Sequence, residues 1–342
     1  MARRVEARLA EVMDAEHAKW SAFDPLLATP YAEMRRLVLA GGKRLRPAFC
    51  QWGYVGLGGD IDDQLVVDAG AALELLHAFA LFHDDIMDGS ATRRGEPTTH
   101  TLAMRQHEEH GYLGEARRFG EGVAILVGDL TYVYADELMM KAPPQAWAIW
   151  NVLRIELNIG QYLDVLGSAT RERRREYTER ICQYKSAKYT IERPLHLGAT
   201  MAAPHIGPDA LEKLSAYGVP LGEAFQMRDD VLGAFGESDT TGKPVGDDLR
   251  EGKPTPLLSI ATSRATPAQL KVLDRVGRPD ISDAEIRDAQ QVIQDCGALD
   301  ALEDHITALT VSAVNAIKDA PITSHARDEL IELAAYVSWR AV

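Results

Sequence analysis

A helical repeat of apolar residues that runs straight into three aspartates constrains this chain more than any other feature. Val66, Val67, Ala69, Leu73, Leu76 and Phe79 recur at threes and fours through one long segment, which closes with His83-Asp84-Asp85-Ile86-Met87-Asp88. That spacing marks one face of an α-helix. On such a helix Asp84 and Asp88 share a face. Three carboxylates within about 6 Å of helix rise repel one another. They also end an apolar helix, where burying unpaired charge is costly. A hard divalent cation relieves both problems, and carboxylate oxygens suit Mg²⁺.

Similar periodicity runs through 121–140, 145–166, 174–199 and 209–235, and again through 282–296, 298–318 and 323–340. No stretch sustains period-two alternation with β-branched residues, so the chain is expected to be all-α. Pro47 suits the first turn of a helix, and Pro194 is expected to kink or end one. No Pro-rich or Ser/Gly-rich linker divides the 342 residues, and 46% hydrophobic residues suffice for one large core, so residues 1–342 read as a single domain. With 51 acidic and 37 basic residues, the net charge of −14 argues against nucleic acid and anionic lipid surfaces as partners. Apolar runs fall far short of a membrane span, and the N-terminus lacks a signal-peptide stretch. Cys50, Cys182 and Cys296 lie far apart, as expected in the reducing cytoplasm.

A second acidic cluster, Asp229-Asp230, sits in FQMRDDVLGAFG near the end of another apolar run. Its i+4 position is Gly233, so it holds fewer carboxylates. Either cluster alone reads equally well as a solvated acidic helix end. Two clusters, each followed by a Gly-containing loop with basic residues (89–99 and 236–256), argue against that bland reading. Mg²⁺ uses one or two carboxylates together with substrate phosphates, and phosphate oxygens also need Arg and Lys. The chain supplies Lys43, Arg44 and Arg46 in GGKRLRP, Arg93 and Arg94 after the first cluster, and Lys243 and Lys253 after the second. Metal-bound diphosphate fits this pattern. P-loop, GxSxG, HExxH and Rossmann signatures are absent. His107-Glu108-Glu109-His110 has the wrong spacing for a zinc protease and reads as an exposed helical face. Ionisation of an allylic diphosphate beside an apolar, water-excluding cavity is the chemistry that remains.

The ordered motifs GGKRLRP (41–47), ELLHAFALFHDDIMD (74–88), RRG (93–95), GDL (128–130), GQYLD (160–164), YKSA (184–187), FQMRDD (225–230) and GKPVGDDLREGKPT (242–255) closely resemble the polyprenyl synthetase family, the trans-isoprenyl diphosphate synthases. The resemblance covers about residues 35–260, and the C-terminus more weakly. It implies an all-α helical bundle of the isoprenoid synthase type around a central cavity, a homodimer, and Mg²⁺ with three ions in the closed complex. Isopentenyl diphosphate and an allylic diphosphate are the implied substrates. By position, Asp84, Asp85 and Asp88 resemble the first metal site, and Asp229 and Asp230 the second. Lys43, Arg46, His77 and Arg94 resemble the isopentenyl diphosphate site. Arg93, Lys185, Ser186, Gln226, Lys243 and Lys253 resemble the allylic diphosphate contacts, with Lys185 beside the aspartates in the catalytic set.

Two positions depart from the family pattern. Ser186 replaces Thr and keeps the hydroxyl. Gly233 replaces the last Asp of the second motif, which weakens the second metal site or marks a cyclase-like or non-catalytic variant; Asp229 and the following lysines argue against the variant. On periodicity alone His77 reads as a core histidine, and only its motif position makes it a ligand contact. Phe79, Phe82 and Phe225 read as core, and Gln161 and Asp164 as a buried polar contact. Phe79 and Ala80, five and four residues before Asp84, lie about one helical turn deeper and are expected to set product length. A filled position 79 and no insertion in the first cluster resemble enzymes that make geranylgeranyl diphosphate. The alternatives are a class I terpene cyclase, against which Lys43, Arg46 and Arg94 argue, and a non-catalytic partner subunit.

Overall fold

The computed structural model of the protein describes residues 1–236 and 246–339; Lys243 and its neighbours at 237–245 lie outside them. The chain opens with α1 (Ala2–Phe23), α2 (Ala28–Leu39), α3 (Leu45–Gly56) and α4 (Gln64–Met87). A ribbon of two-residue strands, Thr92–Arg93 against Glu96–Pro97, separates α4 from α5 (Thr99–His110). α6 (Ala116–Met139), α7 (Pro144–Thr170) and α8 (Arg175–Ile181) follow. A π-helical segment, Cys182–Glu192, leads into α9 (Arg193–Ala202) and α10 (Pro208–Phe235). After the undescribed stretch come α11 (Asp247–Glu251), α12 (Pro256–Arg264), α13 (Pro267–Leu273), α14 (Asp283–Asp295), α15 (Ala298–Ile317) and α16 (Ser324–Ser338).

Local chemistry sets many of these ends. Asp63 caps α4 by accepting from the Leu65 amide, and Ser282 with Glu285 forms a reciprocal capping box at α14. Proline begins α7, α10, α12 and α13, where its missing N–H costs no helical bond. The helix does not end at Pro194: it runs on without a break, changing from π-helical through Glu192 to α-helical from Arg193. The strand ribbon is a departure from an all-helical reading, and two-residue strands are too short to leave a period-two pattern. In the 236–256 segment, which reads as a loop, residues 247–251 form the single turn of α11, bounded by Gly246 and Gly252 at positive φ.

The core explains why α4 lies at the centre. Val66, Leu73, Leu75 and Leu76 have no exposed surface, and α4 packs against α1, α3 and α6. Each such buried side chain contributes about 1.5–3 kcal/mol relative to exposure. By length and apolarity α4 would cross a membrane, but 72% of its most apolar window is buried inside the fold, as in a core helix. Two further cores flank this one. Phe49, Leu195, Leu214, Tyr217 and Leu330 form the first. Met227, Val231, Leu257, Ile293 and Ile306 form the second. α10 runs through both, so its central turns are held at a fixed depth opposite the end of α4.

Candidate active site

The C-terminal ends of helices carry the negative end of the backbone dipole, so three aspartates there are doubly disfavoured. The structure meets this with cations from three other elements. Arg93, on the first strand, donates from Nε and Nη2 to Asp85 Oδ1 at 2.8 and 2.7 Å and reaches Asp84 at 3.5 Å. Lys185, in the π-segment, lies 2.5 Å from Asp164 and 3.3 Å from Asp84. Lys253, just beyond α11, lies 3.2 Å from Asp88, 2.9 Å from Glu251 and 3.7 Å from Asp248. Gln161 of α7 donates to Asp84 Oδ1 at 2.9 Å.

These contacts sort the carboxyls. Burial opposes ionisation of Asp84, but Lys185, Lys253 and Arg93 outweigh it and hold the group well below the usual range. Burial dominates at Asp85 and Asp88 and pushes both upward despite Arg93 and Lys253. Asp230 is buried and pushed well up, first by desolvation and then by Asp248, Asp229 and Asp164. Its Oδ1 accepts from Gln226, while its Oδ2 has no hydrogen-bond partner. A buried carboxylate with an orphan oxygen beside other carboxylates suits a bound cation.

A cavity of about 530 Å³ lies between the clusters. It brings together Lys43, Arg46, His77, Ala80, Asp84, Arg93, Lys185, Ser186, Gln226, Asp229, Asp230 and Lys253, all singled out from the sequence. An adjoining cavity of about 540 Å³ gathers Lys43, Arg46, His77 and Arg94. Arg46 stacks 4.3 Å from the Tyr189 ring centre and donates to Thr190 Oγ1 at 3.1 Å, which fixes its guanidinium. His77 is pushed well down, first by burial and then by Arg46, Arg93 and Arg94, so it stays neutral. Ser186 donates to the Gln226 side chain. The close approach of α7 to the π-segment requires Gly160: a Cβ there would meet Lys185 N at 2.2 Å.

Some expectations change. Arg44 is held by partners within the protein. Its left-handed backbone (φ 49°) turns the side chain inward, where the guanidinium pairs with Glu74 and donates to Val38 O at 3.1 Å. Phe79 does not line the cavity; its ring packs 4.6 Å from His83 and 4.7 Å from Tyr132, because positions 79 and 80 point about 100° apart on the helix. Phe225 packs against the core as expected and also lines both cavities. His107 is buried rather than exposed, with Nε2 3.2 Å from Leu113 O. Gln161 and Asp164 form the expected polar contacts, but to Asp84 and Lys185 of the site itself. Asp247 and Asp248, within a motif already noted, also line the cavity and were not singled out.

Residues 28–295 match the polyprenyl synthetase family model. The chain belongs to the polyprenyl synthetase family. It is 33% identical over 270 residues to a short-chain isoprenyl diphosphate synthase of Methanocaldococcus jannaschii, covering 77% of this chain and 76% of that one. It is 32% identical to a geranylgeranyl diphosphate synthase of Methanosarcina mazei, covering 80% and 78%. A solved geranylgeranyl pyrophosphate synthase of Corynebacterium glutamicum, complexed with isoprenyl diphosphate and magnesium, superimposes with a TM-score of 0.92 at 35% identity, covering 98% of both chains. The chain is thus a prenyltransferase of the trans-isoprenyl diphosphate synthase type, and neither the cyclase nor the non-catalytic reading is favoured.

Proposed function

We propose that this enzyme joins isopentenyl diphosphate to an allylic diphosphate and releases inorganic diphosphate, with geranylgeranyl diphosphate as its product. The observation that carries the reading is the single cavity in which Asp84 and Asp229 stand together with two separate sets of cations. Lys43, Arg46 and Arg94 gather on one side, in the adjoining cavity, and Lys185, Lys253 and Arg93 cluster around the first aspartates. Two anionic substrates fit this division.

Asp84, Asp88, Asp229 and Asp230 would hold Mg²⁺, and the orphan Oδ2 of Asp230 supports that fit. Bound there, Mg²⁺ supplies Lewis-acid stabilisation of the negative charge that develops on the departing diphosphate. Arg93, Lys185 and Lys253 bind the allylic diphosphate and keep the leaving oxygens in place. Lys43, Arg46 and Arg94 hold isopentenyl diphosphate so that its double bond faces the allylic carbon. Neutral His77, whose buried Nδ1 has no hydrogen-bond partner, adds a polar contact without adding charge. The carbon–oxygen bond breaks with its electron pair on the diphosphate, the isopentenyl π-electrons form the new carbon–carbon bond, and the proton leaves to the released diphosphate. No side-chain base is needed. The apolar wall, including Ala80 and Leu157, keeps water from the cation.

For product length, Ala80 lines the cavity, and Phe79, on the neighbouring face of the same helix, packs against Tyr132. Phe79→Ala is expected to lengthen the product and Ala80→Phe to shorten it, both read by chromatography of the dephosphorylated alcohols. An unchanged product from both variants removes this helix face as the length determinant. Isoleucines and other large apolar residues on α6 and α7, among them Ile125, Leu126, Val133, Val152, Ile155 and Ile159, are exposed, and a symmetric homodimer buries such a face. Cys50, Cys182 and Cys296 are all unpaired, in keeping with the reducing cytoplasm. The test of the whole reading is purified protein with isopentenyl diphosphate, Mg²⁺ and each allylic primer in turn. A twenty-carbon diphosphate supports it. Hydrocarbon from geranylgeranyl diphosphate alone, or no turnover with any primer, overturns it.

A further inference from the structure

α10 presents Asp229 and Asp230 to the cavity, but Gly233, one turn on, has no carboxylate. The space beside it is filled. A Cβ built on Gly233 would lie 1.9 Å from Asp248 Oδ2 and 2.5 Å from its Cγ. The Asp248 carboxylate therefore occupies the volume into which a side chain at 233 would grow. α11 holds it there: Leu249 is buried in the core around Met227 and Val231, Gly277 N donates to Leu249 O at 3.1 Å, and Arg250 pairs with Asp283 at 2.7 Å.

We infer that Asp248 supplies, from α11, the carboxylate that α10 lacks at position 233, and so completes the second cation-binding cluster with Asp229 and Asp230. The inference rests on reading the cavity as a Mg²⁺–diphosphate site and deepens that reading. An independent observation supports it. Asp230, only 4% exposed, lines the same cavity with one oxygen bonded to Gln226 at 2.8 Å and the other without a hydrogen-bond partner. Among the described residues the ion pair at Asp248 is a loose one: Lys253 stands 3.7 Å away and approaches Asp88 and Glu251 more closely. Lys253 thereby spans the first cluster and the second.

The experiment is calorimetric titration of the full-length protein with inorganic diphosphate at several Mg²⁺ concentrations. Asp248→Asn keeps the shape and removes the charge. It is expected to raise the Mg²⁺ concentration needed for half-maximal diphosphate binding by about tenfold or more, with the Mg²⁺-free melting temperature unchanged. Gly233→Asp alone is expected to weaken binding as well, because the two carboxylates compete for one space. The swap Gly233→Asp with Asp248→Ala moves the carboxylate back to α10 and is expected to bind within a few-fold of the natural protein. Natural Mg²⁺ dependence in Asp248→Asn overturns the inference, and so does a swap no better than Asp248→Ala. Asp84→Asn separates the two levels. If it abolishes binding while Asp248→Asn does not, only this inference fails; if it too binds diphosphate normally, the Mg²⁺–diphosphate reading fails.

Discussion

Replacing Gly160 by alanine adds one methyl group, yet it should cost both stability and activity. In a helix interior that change is ordinarily favourable by about 0.5–1 kcal/mol. Here the new Cβ would sit 2.2 Å from Lys185 N and 2.6 Å from both Lys185 Cα and the Tyr184 carbonyl carbon. Ordinary contact begins near 3.4 Å, so α7 and the π-segment must part by about 1 Å, and both partners are backbone, which cannot rotate away. Overpacking of this kind costs about 1–3 kcal/mol, so the variant loses stability against its propensity gain. The displaced residue is Lys185, which holds Asp84 and Asp164 at 3.3 and 2.5 Å. A shift of about 1 Å in such a group lowers turnover by about 100-fold. Gly122, in α6, has nothing within 4 Å of its Cβ position, and Gly122→Ala serves as the control, expected to be neutral or stabilising. Denaturant melts, and steady-state kinetics with both diphosphate substrates, on both variants read the effect. A Gly160→Ala protein as stable and active as the natural one refutes the close approach and the placement of Lys185 that depends on it.

Asp84→Asn is expected to lower turnover by several orders of magnitude with the melting temperature kept within a few degrees, since it removes a cation-binding charge from a repelling cluster; global unfolding, seen by circular dichroism, would show that the charge is structural. His196 is buried, with burial as the main cause of a value lowered to about 4, against opposition from Glu192. Because the unfolded imidazole titrates near 6.5, the unfolded state binds more protons below that value. Stability is therefore complete above pH 6.5 and lost as pH falls toward 4, by up to about 3 kcal/mol. His196→Asn should flatten that slope in denaturant melts across the same window. Ile155→Asp, on the exposed face of α7, is expected to yield monomers in sedimentation while leaving the helical spectrum intact.

The helices and most of the residues that line the candidate cavity were legible in the sequence because both are marked locally. Periodicity of threes and fours fixed which faces are buried, and charges concentrated at the ends of apolar runs marked Asp84, Asp85, Asp88 and Asp229. Arg44 and Arg46 show where local reading stops. They are two residues apart in one basic motif, and only the left-handed backbone at Arg44 sends one to Glu74 while the other stacks on Tyr189 beside the cavity. Asp248 shows the same limit. Its position opposite Gly233 is a through-space fact, fifteen residues away along the chain, and no spacing rule of a single helix reports it.

Hydrophobic periodicity and charge repulsion act within a few residues, so amphipathic helices ending in carboxylates follow from the local order of residues in this chain. Packing between distant segments sets which cation answers each aspartate, which of two neighbouring arginines pairs with Glu74 and which stacks on Tyr189, and which carboxylate stands where Gly233 has none. Those outcomes depend on helix packing and backbone approach between segments distant in the chain, where burial and contact distance set the energies.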